Sequence, residues 1–325
     1  MTQVVLVDEF GGPEVLRLAD IDTGSPAAGE VLIRQSAIGI NFIDTYHRSG
    51  LYPMDMPCGL GLEAAGVITA VGSGVTDLQT GDRVAYSSMP PGAYAAERVV
   101  AADRVVKLPE GISEDVAAGA MLKGLTAWYL LFRSYPVQSG DTVLMYAAAG
   151  GVGQIATQWA ASLGVRVIGV VSTEEKAAQA RAAGCDAIVM ADDPGFVEAV
   201  RELAGGEGVA AVYDSVGKDT FYQSLDCLRK HGMMVTYGNA SGAVEAFAPL
   251  ELAKRGSLKI TRPVLFDFIA ERDDLLAARD ALFGVILSGA VKISVNHIYP
   301  LSDVANAHRD LEARRTSGSV ILRPD

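Results

Sequence analysis

The stretch LMYAAAGGVGQIATQWA, residues 144–160, constrains this chain more than any other. The apolar run over 141–146 (DTVLMY) reads as a buried strand, and apolar residues over 155–163 recur at helical spacing. The glycines between them therefore join a strand to a helix N-terminus. Gly150, Gly151 and Gly153 can take positive φ and let a ligand approach bare backbone; Ala148 stands where a strict G-x-G-x-x-G pattern has its first glycine. Unpaired N–H groups and the positive end of the helix dipole then face the turn, an arrangement that holds a pyrophosphate. A tight turn with no ligand uses the same residue types, so the surroundings must decide.

Downstream of the turn, strand-like and helix-like segments alternate. VRVIGVV (165–171), DAIVMA (186–191), VAAVYDSVG (209–217), MMVTYG (233–238) and SLKITRP (257–263) read as strands. EEKAAQARAAG, GFVEAVRELAGG and DTFYQSLDCLRKHG read as the helices between them. With 141–146 this predicts a doubly wound parallel sheet of six strands. Upstream, short β-type runs punctuated by turns (VVLV, EVLIRQSAIGI, EAAGVITAVGSGV, DRVAY, YAAERVVA, RVVKLP) predict an antiparallel, barrel-like domain, and 115–134 reads as a helix. The tail from 264 carries two amphipathic helices, over 273–289 and 301–315, and a last strand, SVILRP, that should return to the first domain. The expected division is 1–124 with 264–325, and 125–263.

A chain of 325 residues exceeds what one hydrophobic core usually organises, which fits this two-domain reading. A net charge of −12 opposes non-specific binding to nucleic acid or an anionic membrane. Cys58, Cys185 and Cys227 are too few and too scattered for a disulfide framework or a cysteine-rich metal site, which points to a reducing cytoplasm. The N-terminus lacks a basic segment followed by an apolar core, and no apolar run reaches the length of a membrane span. A soluble, unprocessed protein is the expectation.

A β-rich N-terminal region, an inserted dinucleotide fold with AAAGGVG and a returning C-terminal segment together resemble the medium-chain dehydrogenase/reductase superfamily, over essentially the whole chain. Within it GGPEVL (11–16), GINFIDTYHRSGLYP (39–53), GLGLEAAGVI (59–68), YDSVGKDT (213–220) and GSLKITRP (256–263) look closely like the NADPH-dependent, ζ-crystallin-like quinone oxidoreductases. The resemblance implies a Rossmann sheet inserted into a GroES-like catalytic domain, and a homodimer. It also exposes a departure from the zinc-dependent branch. Asn41 and Leu62 stand at the positions of two zinc ligands, and no cysteine occurs at 121–123, where a third would fall. An amide and an alkyl chain cannot replace a thiolate and an imidazole, so no metal site is expected. His47, His231, His297 and His308 have no ligand-like spacing either.

The strand over 165–171 ends where NAD-specific folds place a carboxylate for the ribose hydroxyls; here Ser172 and Thr173 follow, with Lys176 one helical turn on. Hydroxyls and an ammonium suit a 2′-phosphate, and the predicted cofactor is NADPH. Glu174 and Glu175 lie beside the lysine, and Ala191 stands where close relatives tend to carry a cofactor-contacting tyrosine. Val152 is expected at the nucleotide with the glycines of the turn, and the resemblance further implies Asn41, Thr126, Tyr129, Ser215, Gly238, Asn239 and Arg314 in the nucleotide pocket, with structural capping as the alternative for the polar side chains.

Without a metal, hydride must pass directly from nicotinamide to an electron-poor acceptor, and a quinone meets that requirement. Asn41, Tyr46 and Tyr52 are the candidates to position it, through hydrogen-bond donors and flat rings; ordinary packing is the alternative for each tyrosine. No obligatory acid or base is assigned. Two other activities stay open: reduction of enones or alkenals on the same fold, and a nucleotide-dependent RNA-binding or crystallin-like role, which the acidic charge opposes.

Overall fold

The computed structural model describes residues 1–324. The chain divides into two compact units, one of 1–125, 269–287 and the residues from 293 on, the other of 126–268 and 288–292. The boundaries differ from those expected: 264–268 and 288–292 belong to the second unit.

The first unit holds β1 (Thr2–Val7), β2 (Arg17–Ile21), β3 (Glu30–Ile40), α1 (Phe42–Ser49), β4 (Cys58–Gly59), β5 (Glu63–Val71), β6 (Arg83–Ser87), β7 (Glu97–Ala101) and β8 (Val105–Lys107). The helix α2 (Glu114–Tyr129) begins in it. A three-stranded sheet runs β2-β1-β4. A seven-stranded sheet is built on β3, which pairs antiparallel with β5 and β7. β3 alternates buried and half-buried residues at its start and is buried throughout its last four, so one end lies wholly inside the core. Val5, Ile33, Ile68, Val84, Tyr86 and Val320 belong to that core.

The second unit contains β9 (Thr142–Met145), α3 (Gly151–Ser162), β10 (Arg166–Val171), α4 (Glu174–Ala182), β11 (Ala187–Met190), α5 (Phe196–Leu203) and β12 (Val209–Asp214). It continues through α6 (Phe221–Asp226), β13 (Leu228–Thr236), α7 (Leu250–Lys254), β14 (Lys259–Thr261) and α8 (Leu265–Phe268). Its six strands are parallel in the order β11-β10-β9-β12-β13-β14, the doubly wound sheet that the alternation predicts. β12 is buried at all six positions, as a central parallel strand covered on both faces must be. The helix expected over 219–232 is corrected: α6 has only six residues, and 228–232 already belong to β13, where Arg229, Lys230 and His231 are exposed and the register with β12 shifts.

The tail comprises α9 (Arg272–Leu287), β15 (Val295–Pro300), α10 (Val304–Glu312) and β16 (Ser319–Arg323). β16 pairs antiparallel with β3, placing Val320 opposite Ile40, so the last strand does return to the first unit. β15, which the sequence reading leaves out, lies parallel to β16 and makes this sheet mixed rather than purely antiparallel. No helix among the described residues is long and apolar enough to cross a membrane.

Candidate active site

In the second unit, the glycine-rich turn leaves β9 and enters α3 with Gly150 as N-cap in extended conformation. The expectation that its glycines supply positive φ is corrected, because that role falls to Ala147 (φ 50°). What Gly153 supplies is room: a Cβ there would lie 2.2 Å from the Ala147 carbonyl oxygen and 2.7 Å from the Ala148 Cα. The Gly150 amide donates to that same carbonyl at 2.8 Å, and the Gln154 amide to Gly150 at 2.9 Å. The remaining amides of the first turn, at Gly151, Val152 and Gly153, precede the helix's own ladder. A backbone folded this tightly, with early helical N–H groups bare of side chains, fits a pyrophosphate.

Ser172 and Thr173 are exposed at the end of β10, and Thr173 caps α4 by accepting the Lys176 amide at 3.2 Å. The structure thus gives the Thr173 oxygen a helix-capping duty, and Ser172 and the half-buried Lys176 lie in the same turn.

At the ends of β12 and β13, Ser215, Gly238 and Asn239 come together because Asp214 shapes the loop between them. Fully buried, Asp214 accepts the Val216 and Gly217 amides at 2.7 and 3.1 Å on Oδ1, and the Thr220 and Ser224 hydroxyls at 2.7 and 2.8 Å on Oδ2. A Cβ on Gly238 would meet the Ser215 carbonyl oxygen at 2.4 Å, so the two loops lie backbone to backbone. Asp214 is a residue that the sequence reading misses, although its place before a Ser-Val-Gly turn is a recognisable Asx-turn signal. Thr126 and Tyr129 lie on the part of α2 in this unit, both buried, and Tyr129 stacks on Phe268 at 4.9 Å with the rings 3° from parallel.

In the first unit, Asn41 is the N-cap of α1; its backbone amide donates to Asp44 at 2.8 Å, and its side-chain amide donates to Glu63 Oε1 at 2.8 Å. Lys123 Nζ reaches the same Glu63 oxygen at 3.0 Å, and the Leu122 amide donates to Oε2. Leu62, beside Glu63, is fully buried. An amide and an ammonium therefore meet around one carboxylate, a donor set unsuited to zinc. Among the described residues no group of three or more His, Cys, Asp or Glu side chains could hold a metal ion.

Tyr46, on α1, packs edge-on against Tyr52 and Phe42, with centroids 5.2 and 5.6 Å away, and the Tyr52 amide donates to the Tyr46 carbonyl at 3.1 Å. The two candidate tyrosines thus form one aromatic cluster with Phe42 and His47. His47 packs against Tyr52, and burial lowers the pKa of its imidazole.

Below α1 runs a buried polar chain. Arg48 Nη1 donates to His308 Nδ1 at 2.9 Å, so Nε2 carries the proton and donates to the Tyr94 oxygen at 3.0 Å; Tyr94 donates to Asp44 Oδ2 at 2.8 Å. Burial pushes the Asp44 carboxyl up to about 7, and burial with the Arg48 charge pushes His308 down to about 3. Arg314 is exposed, just past α10, with φ 57°, in the same unit as Asn41.

The family model for the alcohol dehydrogenase GroES-like domain matches residues 27–110, and that for the zinc-binding dehydrogenase matches 151–276. The chain is 48% identical to a quinone oxidoreductase of Pseudomonas aeruginosa over 97% of both chains, and 44% identical to a 2-haloacrylate reductase of Burkholderia over 100% of this chain and 99% of that one. The crystal structure of Escherichia coli quinone oxidoreductase complexed with NADPH superposes with a TM-score of 0.97 at 46% identity, covering 99% of this chain and all of that one. The fold and the site define a medium-chain dehydrogenase/reductase, and the chain belongs to the quinone oxidoreductase family within that class, an oxidoreductase.

Proposed function

We propose that this protein reduces quinones with NADPH by hydride transfer that needs no metal. The observation that carries the reading is the exchange of metal ligands for the Asn41–Glu63–Lys123 cluster. Such a cluster cannot polarise an alcohol for oxidation as zinc does, whereas a quinone is electron-poor enough to accept hydride without a metal. NADPH, when bound, supplies the hydride.

The amides of Gly150, Gly151, Val152 and Gly153 would hold the pyrophosphate, and Ser172, Thr173 and Lys176 would take the 2′-phosphate. Thr126, Tyr129, Ser215, Gly238 and Asn239 of the second unit, and Asn41 and Arg314 of the first, would hold the rest of the nucleotide. Tyr46 and Tyr52 flank the acceptor ring, with Asn41 as a further contact. The relatives named as quinone oxidoreductases support the acceptor class. The assembly is a cytoplasmic homodimer. The 44% identity to a 2-haloacrylate reductase favours a second reading, reduction of an alkene conjugated to a carbonyl.

Initial rates of NADPH oxidation with 1,4-benzoquinone, an enone and 2-chloroacrylate, and of NADP⁺ reduction with ethanol, test this. Quinone turnover should dominate, with negligible alcohol oxidation. Turnover confined to the enone or the haloacrylate transfers the assignment to the second reading, and efficient alcohol oxidation refutes both.

A further inference from the structure

Glu63 sits in a built seat. It is fully buried, and a Cβ on Gly39 would fall 2.2 Å from its Oε1 and 2.3 Å from the Ala118 carbonyl oxygen, so only glycine leaves space for this carboxylate between β3 and α2. Its oxygens accept from Asn41, from the Leu122 amide and from Lys123. The carboxylate is therefore well satisfied.

Lys123 is not. Its side chain is 7% exposed, and its ammonium makes one hydrogen bond among the described residues, to Glu63, out of the three it can donate. A buried ammonium with two donors to spare is costly, and a buried ion pair by itself is weak support for a fold, since apolar residues of similar size often serve as well or better. The spare donors call for an oxygen carrying negative charge. Glu63 Oε1 holds this ammonium and the Asn41 amide together, so the charge is fixed next to the residue assigned above to the acceptor.

We propose that Lys123 is a further catalytic residue, the charged hydrogen-bond donor to the carbonyl oxygen of the acceptor. The inference rests on the proposed reduction of conjugated carbonyl acceptors. When hydride bonds to the acceptor, the π electrons of the conjugated carbonyl move onto its oxygen, and the Lys123 N–H groups hold the resulting oxyanion. The anion then takes its proton from water, so that one hydride and one proton are added in all. Glu63 is a positioning residue that keeps the ammonium and the Asn41 amide aimed at one place.

K123M leaves Glu63 buried without its charged partner and can misfold on that account; E63Q/K123M removes both charges while keeping an oxygen for the Asn41 amide. Both variants are compared with the wild type in kcat and KM for the acceptor, in NADPH affinity by fluorescence titration, and in melting temperature. The double variant loses the acceptor of the Leu122 amide and should melt somewhat lower than the wild type, but it should bind NADPH within about threefold and lose about a hundredfold in kcat/KM for 1,4-benzoquinone, mostly in kcat. A loss below tenfold, or one matched by weaker NADPH binding, overturns the role of Lys123. If the wild type reduces only an enone or a haloacrylate, the quinone reading fails while the same variants test Lys123 on that acceptor.

Discussion

Gly153 shows how one position couples fold to ligand. Its missing side chain lets the Ala147 carbonyl sit against the first turn of α3, where any Cβ would clash at 2.2 Å. Gly153→Ala must therefore push the turn away from the helix. We expect a loss of about 1–3 kcal/mol in stability, by overpacking, and NADPH binding weakened more than about tenfold as the amides lose their alignment. Chemical denaturation and fluorescence titration check this, and unchanged values for both would mean that the turn yields freely. The importance of this glycine is legible in the sequence, but its reason is not. Positive φ falls on Ala147, because the reversal comes before the glycines rather than at them. Asn41 is similar. Its site can be read from the motif, yet its amide is held by Glu63, 22 residues away, which no local pattern reveals.

At the scale of elements, α1 is held by two buried groups with opposite pH behaviour. The Asp44 carboxyl, pushed from 3.8 up to about 7, stays protonated in the folded state while the unfolded chain ionises, so its contribution to stability falls as pH rises across that window. His308, pushed from 6.5 down to about 3, stays neutral when folded while the unfolded chain takes up a proton, so its contribution falls as pH drops through its own window. Each slope is at most about 1.4 kcal/mol per pH unit, and where the windows overlap they oppose each other. H308Q should therefore lose stability relative to wild type as pH rises from 3.8 to 6.5, and D44N should lose it as pH falls over the same range. Urea denaturation along that range measures both, and variant profiles parallel to the wild type would show that neither group titrates as described. The helix itself was within reach of the sequence. Asn41 at the N-cap and Asp44 three residues on form a capping pattern, here read only as a family motif. The overlong helix over 219–232 errs the other way: buried Leu225, Cys227 and Leu228 mimic a helical stripe across a helix-to-strand junction.

For the whole molecule, the doubly wound sheet was legible because each strand and its following helix are local units, whereas the first unit's sheet depends on distant pairings. β16 joins β3 across some of the longest separations in the chain, Val320 opposite Ile40, and β15, with alternating half-buried and exposed residues, carries too weak an apolar signal to stand out. Pairing of β3 with β5, with Gly39 opposite Glu63, brings Asn41 at the N-cap of α1 next to Glu63, and Lys123 joins them from α2, so that a carboxylate holding an ammonium and an amide stands where the zinc-dependent branch is expected to hold its metal. That replacement is the centre of this account. The most direct test measures zinc content and NADPH-dependent 1,4-benzoquinone reduction in one sample before and after exhaustive chelation. The account predicts no stoichiometric zinc at either stage and an unchanged rate; one zinc per chain, removed together with activity and restored with it, would contradict it.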